Sequence, residues 1–210
     1  MPDRTAPYHH GDLRAKLVEI AARDIETEGA AKLSLRRIAA QAGVSHNAPY
    51  MHFASKDALL DAVIAHGFAE LRSSIARAGG QEAWTRGDWA ERMKAGLRAY
   101  IVFARDHPGL YALMHVPRAR RQSPDRGETG SSADDAPGTA TLQSLAAALE
   151  AGQRLGEVRS GSPGEMALWV WATLHGTASL VSEERAAFEG RSPDAVCETV
   201  LEYLIAALAA

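Results

Sequence analysis

Leu33–Val63 reads LSLRRIAAQAGVSHNAPYMHFASKDALLDAV. Ser34 is a capping residue, and Leu35, Ile38, Ala39 and Ala42 share one face of the helix it would open, with Gly43 as its stop. A turn of at most three residues follows. A second short helix is predicted from about Ser45 to about Phe53, because Ser55 caps a longer helix carrying Leu59, Leu60, Val63, Ile64, Phe68, Leu71 and Ile75. Ala39 and Ala42 are small enough to let the two short helices approach closely, and Val44 fills the angle between them. This is the pattern of a helix-turn-helix. Its second helix keeps an outer face that fits a DNA major groove, with the N-terminal residues toward the base edges.

The charge distribution agrees. From Gly29 to Lys56 there is no Asp or Glu, while Lys32, Arg36, Arg37 and Lys56 are basic and His46 and His52 can join them. After Lys56 the chain is net acidic, with fifteen Lys and Arg against twenty Asp and Glu. Only this N-terminal region is fit to face a polyanion. On its exposed first turn, opened by Ser45, the predicted base readers are His46 and Asn47. Asn pairs in bidentate fashion with adenine, and His donates to guanine N7. With Ser45 as N-cap, Pro49 falls at the fourth helical position, removes only the first intrahelical bond and offers a stiff apolar surface to a thymine methyl. Arg37 is expected to solvate the opposite side. Phe53 is predicted to close the apolar centre with Leu17, Ile20 and Ile38.

Outward from this region, helical periodicity dominates and strand alternation is nearly absent, so the fold class is all-α. Asp12 is placed to cap a first helix whose Leu13, Leu17, Ile20, Ala21 and Ile25 share a face, with Gly29 as its stop. Asp88 and Glu91 read as a capping box for a helix through Met93, Leu97, Tyr100, Ile101 and Ala104. A short helix restarts at Pro108 and ends near His115, and another runs from Thr139 to about Leu155. Residues 117–138 are rich in Pro, Gly, Ser and charge, which predicts a mobile loop. Ser162-Pro163-Gly164-Glu165 and Ser192-Pro193-Asp194 open the last two helices. Their stripes, Ala167, Trp171, Leu174, Ala178 and Val181 on one and Cys197, Val200, Leu201, Leu204 and Leu208 on the other, must be covered by the chain's own core or by a second copy.

Several classes fall away. The chain has 210 residues, 46% of them hydrophobic, yet no apolar run of ~18 residues and a polar N-terminus. A cytoplasmic, globular chain without a membrane span is expected. Cys197, in an apolar periodic segment, reads as a small buried hydrophobe. The histidines form no HExxH-type pair, and adjacent His9 and His10 cannot both face one ion from a regular helix. Neither a nucleophilic triad nor a glycine-rich phosphate loop is evident. No enzymatic activity, metal or cofactor is expected.

Leu33–Val63 resembles the DNA-binding domain of the TetR family of bacterial transcriptional regulators, in which the analogous run ends in Tyr, a second aromatic or His, Phe, and then a Lys that starts the next helix. The resemblance is specific from Leu13 to about Phe68. YHHGDLR before the first helix and WVWATLHGTASL, residues 169–180, are similar to a subgroup with a Trp and His-Gly (WHG-type) C-terminal domain. The resemblance implies a three-helix reading head over 1–54 and a long helix leading into a larger ligand-binding and dimerisation domain over 55–210. It implies phosphate contacts for Tyr50, His52 and Lys56, and a DNA contact for Arg36.

It further implies a homodimer that sets two heads roughly 34 Å apart on a pseudo-palindromic duplex, joined through the apolar stripes of the last two helices. Tyr100, Phe103, Tyr111 and Met114, together with His115, Trp171 and His175, lie on segments that in this family surround a cavity for a small-molecule effector. Stacking on Trp171, one turn earlier, accounts for His175 equally well, and Gly176 would permit close helix packing. The implied function is a sequence-specific, ligand-released dimeric repressor. The alternative is a helical scaffold that binds a small molecule or a protein without binding an operator.

Overall fold

The computed structural model describes residues 10–80, 84–116, 137–182 and 190–210; the side chains of 10–12, 137 and 182 are not described. Most of the expected N-terminal arm and nearly all of the predicted 117–138 loop lie outside the described residues. Among the described residues eight α-helices follow in order: α1 (His10–Glu28), α2 (Leu35–Ala42), α3 (Lys56–Gly79), α4 (Trp89–Asp106), α5 (Pro108–His115), α6 (Pro137–Leu155), α7 (Pro163–Ser182) and α8 (Pro193–Leu208). Among the described residues the only β pairing is an isolated antiparallel bridge, Val158 with Ala209. The all-α expectation stands.

The described residues divide into two compact units, 10–67 with 109–116, and 68–108 with 137–182 and 190–210. The expected boundary after residue 54 falls inside the first of these units. The first half of α3 and nearly all of α5 belong to the first unit, because Gly67 and Gly109 permit close contact. A Cβ at Gly67 would meet Met114 Sδ at 2.7 Å, and one at Gly109 would meet the Ile25 carbonyl oxygen at 2.8 Å. The Glu26 carboxylate also accepts the backbone N–H groups of Gly109 and Leu110 at 2.9 and 2.8 Å, capping the N-terminus of α5.

Sequence signals set most helix ends. Gly29 (φ 81°) and Gly43 (φ 74°) supply the left-handed stops after α1 and α2. Ser55, Ser162 and Ser192 accept the N–H three residues on, at 3.2, 3.3 and 3.2 Å. Three expectations shift. Asp12 lies inside α1, so it is not the cap. Asp88 makes no side-chain cap to its own helix. It accepts from Thr85 N and Oγ1 at 3.1 and 2.7 Å and closes the preceding turn; the Thr85 hydroxyl bond leads in holding its pKa below the usual carboxylate range. Helix α6 starts two residues early, on Pro137, which fits the first helical position.

In the second unit α4 packs on α7 and α8, and α7 also packs on α6. Its centre holds Trp89, Leu149, Val170, Leu201, Leu204 and Leu208, all essentially solvent-free. Trp89 Nε1 donates to the Ala148 carbonyl at 2.9 Å, which satisfies its buried polar atom. Glu198 on α8 receives Arg98 Nε from α4 at 2.7 Å and lies 3.5 Å from Lys94 Nζ. The Arg98 hydrogen bonds are the main cause that holds the Glu198 carboxyl below its ordinary range.

Both predicted stripes on α7 and α8 prove to be core. Ala167, Leu174, Ala178, Val181, Cys197, Leu201, Leu204 and Leu208 are buried within this one chain, with Trp171 and Val200 half-buried at the margins. They therefore do not form the surface that would meet a second copy. The apolar side chains left in solvent are on other faces: Leu168, Trp169 and Leu180 on α7, and Tyr203 on α8. Gly176 lies on the exposed side of α7 with open space around it, so the close packing expected there is absent within the chain.

Candidate functional site

The first unit is built to hold one short segment outward. Helices α1 and α2 are tied by Asp24, whose buried carboxylate accepts Arg37 Nε at 3.2 Å, Arg37 Nη2, and Gln41 Nε2 at 3.2 Å. Arg37 therefore is not a solvating residue on the far side but an internal clamp. Lys16 Nζ donates to the Ala42 carbonyl at 3.1 Å, satisfying an orphan acceptor at the end of α2. Phe53 is 2% exposed, Leu17, Ile20 and Ile38 are buried as well, and the Arg14 guanidinium sits 5.2 Å above the Phe53 ring.

The segment after Gly43 departs from the regular helix expected over Ser45 to Phe53. It forms turns at 46 and 47 and a 3₁₀ helix over Ala48–Met51. Pro49 is the reason. With no N–H to offer the Ser45 carbonyl, it leaves that oxygen to Ala48 N at 3.0 Å, and the i to i+3 spacing repeats from Tyr50 N to Asn47 O and from His52 N to Pro49 O. The ring of Pro49 is buried, facing the core of the unit. The thymine-methyl role expected for it is thus corrected, because the apolar surface it offers is already used by the protein.

What remains outside is compact. Ser45, His46 and Asn47 are exposed, Tyr50 is 55% and Met51 84% exposed, and His52 is half-buried at the end of the turn. Met51 was missed in the sequence, where a lone methionine in an aromatic run reads as core; only a tight helical repeat would have turned it outward. Arg36 is exposed on α2 and has no ion-pair partner among the described residues, whereas Lys32 pairs with Glu28 at 3.1 Å. Lys56 opens α3 and spends one donor on the Ala31 carbonyl at 2.8 Å, leaving two for another acceptor. The acid-free window thus presents Arg36 and Lys56, an amide, two imidazoles, a phenol and a thioether on one small unit.

A second feature lies in the other unit. A cavity of about 550 Å³ is enclosed by the second half of α3 with α4, α6 and α7. Tyr100 and Trp171, both predicted ligand contacts, line it. The other five predicted contacts do not. Phe103 is buried near His107, ring centroids 4.9 Å apart, and His175 stacks on Trp171 at 5.5 Å, as its spacing suggested. Burial holds the His175 imidazole below its ordinary pKa. Tyr111, Met114 and His115 belong to the first unit, where His115 Nδ1 lies 2.9 Å from the Tyr111 carbonyl. The wall that sequence reasoning missed is small-residue helix surface: Ala147, Ala148 and Ala151 on α6, with Gly79, Gly80 and Gly96 also in the lining. An alanine-rich helix carries that signal only once its packing face is known. Among the described residues no cluster of three metal-binding side chains exists, and no helix is long and apolar enough to cross a membrane.

Similarity to known proteins falls on these same two units. Residues 17–63 match the family profile described as bacterial regulatory proteins, tetR family, and residues 93–208 match the tetracyclin repressor-like, C-terminal domain. An HTH-type transcriptional regulator of Mycobacterium bovis is 31% identical over 103 residues, 49% of this chain and 43% of that protein. The nucleoid occlusion factor SlmA of Vibrio atlanticus is 32% identical over 102 residues, 48% of this chain and 50% of that protein. The chain thus spans about half the length of the curated relatives it matches. A solved structure from Rhodococcus sp. RHA1, of unknown function, is 33% identical, covers 98% of this chain and 100% of its own, and superposes with a TM-score of 0.78. With its C-terminal profile spanning more than half of its length, the chain belongs to the tetR family of bacterial regulatory proteins.

Proposed function

We propose that this protein is a cytoplasmic, dimeric transcriptional regulator that binds a pseudo-palindromic operator through its first unit and releases it when a small molecule occupies the cavity of the second. The observation that carries the reading is the exposed 45–51 segment inside the acid-free window, framed by Arg36 and Lys56. His46, Asn47 and Met51 are the candidates for base contact. Tyr50, His52, Lys56 and Arg36 are the candidates for phosphate, which fixes register without reading sequence. Family members act as dimers on operator DNA, and the exposed apolar faces of α7 and α8, Leu168 and Leu180 with Tyr203, are the surface offered to a second copy. Release follows from linkage: a ligand that prefers a conformation unsuited to the operator weakens DNA binding by its differential affinity for the two states.

The test starts from duplexes selected out of a random pool by the full chain and aligned for two-fold symmetry. Operator affinity is expected to fall steeply with salt, and Lys56→Ala to weaken all duplexes alike. Asn47→Ala should relax preference at one base pair per half-site by about 1–3 kcal/mol. Selected pools without symmetry, or operator binding indifferent to both substitutions, would refute the assignment. The scaffold alternative would then hold.

A further inference from the structure

The cavity in the second unit says more about its occupant than that it is small. Ile75, Leu142, Leu145 and Trp171 line it and stay half-buried, so part of their apolar surface is left to water or to an occupant. At about 550 Å³ the cavity has the size of a small-molecule site, and a molecule that covers those side chains is stabilised by apolar burial alone. The alanines of α6 leave it room to do so.

The polar groups around the cavity are already occupied. Among the described residues the lining holds no Asp, Glu, Lys or His, and its charges are Arg72, Arg92 and Arg154. Arg92 donates from Nε to the Gly79 carbonyl at 2.7 Å, has Nη1 3.5 Å from Asp88, and lies 4.4 Å over the Trp84 ring. Arg154, with a side chain 65% exposed, sits in solvent 3.4 Å from Glu150. Arg72 and Tyr100 have partners as well. Ser144 gives its hydroxyl proton to the Ala140 carbonyl at 2.9 Å, and the Thr141 oxygen is closed off from water and therefore from any occupant. An ion entering the cavity would give up its hydration and meet no unpartnered countercharge among the described residues, which is the costly way to bury a charge. A neutral molecule escapes that cost.

We propose that the cavity selects an uncharged, mainly apolar small molecule, held by burial against Ile75, Leu142, Leu145 and Trp171 along the alanine wall of α6 and not by a charged head. The proposal rests on reading this unit as the sensor of a regulator, and it specifies what is sensed.

The test titrates the full chain, without DNA, by isothermal calorimetry at two temperatures, with two skeletons that each come neutral, anionic and cationic. One set is octan-1-ol, octanoate and octylammonium; the other is naphthalen-2-ylmethanol, 2-naphthoate and naphthalen-2-ylmethylammonium. At least one alcohol is expected to saturate with a negative heat-capacity change, the mark of apolar burial. Both ions of the same skeleton should bind about tenfold more weakly or worse, because the charge either loses its water or holds the molecule partly out of the slot. From hexan-1-ol to octan-1-ol affinity should rise about fourfold per added carbon. Ala148→Trp, which fills the slot, should abolish binding of every probe. An ion that matches or exceeds its alcohol, affinity indifferent to chain length where an alkanol binds, a heat-capacity change of zero, binding that survives Ala148→Trp, or no saturable binding of either alcohol overturns the proposal. Should Ala148→Trp unfold the chain, Ala147→Trp, at a more exposed position of the same wall, decides it. Operator release is not read, so a protein that binds the alcohols yet ignores DNA would sink the regulator reading and leave this assignment intact.

Discussion

Replacing Asp24 should loosen the first unit while leaving the second untouched. Its side chain is 6% exposed and accepts three hydrogen bonds from α2, two from Arg37 and one from Gln41. Stripping one partner from a fully buried ion pair costs about 3–5 kcal/mol, chiefly because the survivor stays buried without its countercharge. Here the surviving Arg37 side chain is 37% exposed and can rehydrate, so roughly half of that figure applies, and the lost Gln41 bond adds about 0.5–1 kcal/mol. Asp24→Ala should therefore cost about 2–3 kcal/mol, and Asp24→Asn, which keeps an acceptor, about 1–2 kcal/mol. All four tryptophans lie in the second unit and report nothing about this one. The measurement is hydrogen exchange of the α1 and α2 amides by mass spectrometry, where 2–3 kcal/mol appears as roughly 30- to 160-fold faster exchange. Adding Arg37→Ala to Asp24→Ala should change little further, since the two share one interaction. Unchanged α2 exchange, or strictly additive effects of the two substitutions, would show that Asp24 does not hold α2 in place.

Other perturbations separate strain, packing, assembly and pH. Gly43→Ala should cost about 1 kcal/mol from its left-handed backbone alone, because nothing lies within 4 Å of the added methyl. Gly152→Ala should cost about 1–3 kcal/mol in the urea unfolding of the second unit, since its Cβ would stand 2.6 Å from Cε2 of the buried Trp89. Leu180→Asp and Tyr203→Asp should convert the dimer to monomer in analytical ultracentrifugation and lower operator affinity in parallel; a dimer that survives both would move the interface elsewhere. Burial depresses the His175 pKa, so the unfolded chain takes up its proton first as pH falls. The second unit should therefore lose stability as pH falls through about 6.5, the ordinary imidazole value, and His175→Gln should flatten that fall.

How much of this was legible follows from the range over which each signal acts. Caps, glycine stops and the acid-free window are local, so the helix order and the outward-facing 45–51 segment could be read from the sequence. Asp24 could not, because a lone acid on α1 becomes a clamp only when Arg37 and Gln41 arrive from α2. Pro49 shows the finer limit. Read locally, its missing N–H is the loss of one bond in an otherwise regular helix, but the Ser45 carbonyl takes Ala48 instead, the segment tightens to 3₁₀ geometry, and Pro49 is buried. The stripes of α7 and α8 show the reverse error, since periodicity identifies an apolar face but not what covers it. In this chain α4 and α6 bury the α7 and α8 stripes, so any surface for a second copy must be sought among the residues left over, Leu168, Trp169, Leu180 and Tyr203. The cavity follows the same logic, for an alanine wall is only an absence of bulk until α3, α4 and α7 close a cavity around it. The direct experiment on that point is to restore the bulk: Ala151→Leu, beside a wall of Gly79 and Gly80, should fill space in the second unit without unfolding it and close the slot to any ligand, while a lowered melting temperature would mean the space is already occupied by the protein's own packing.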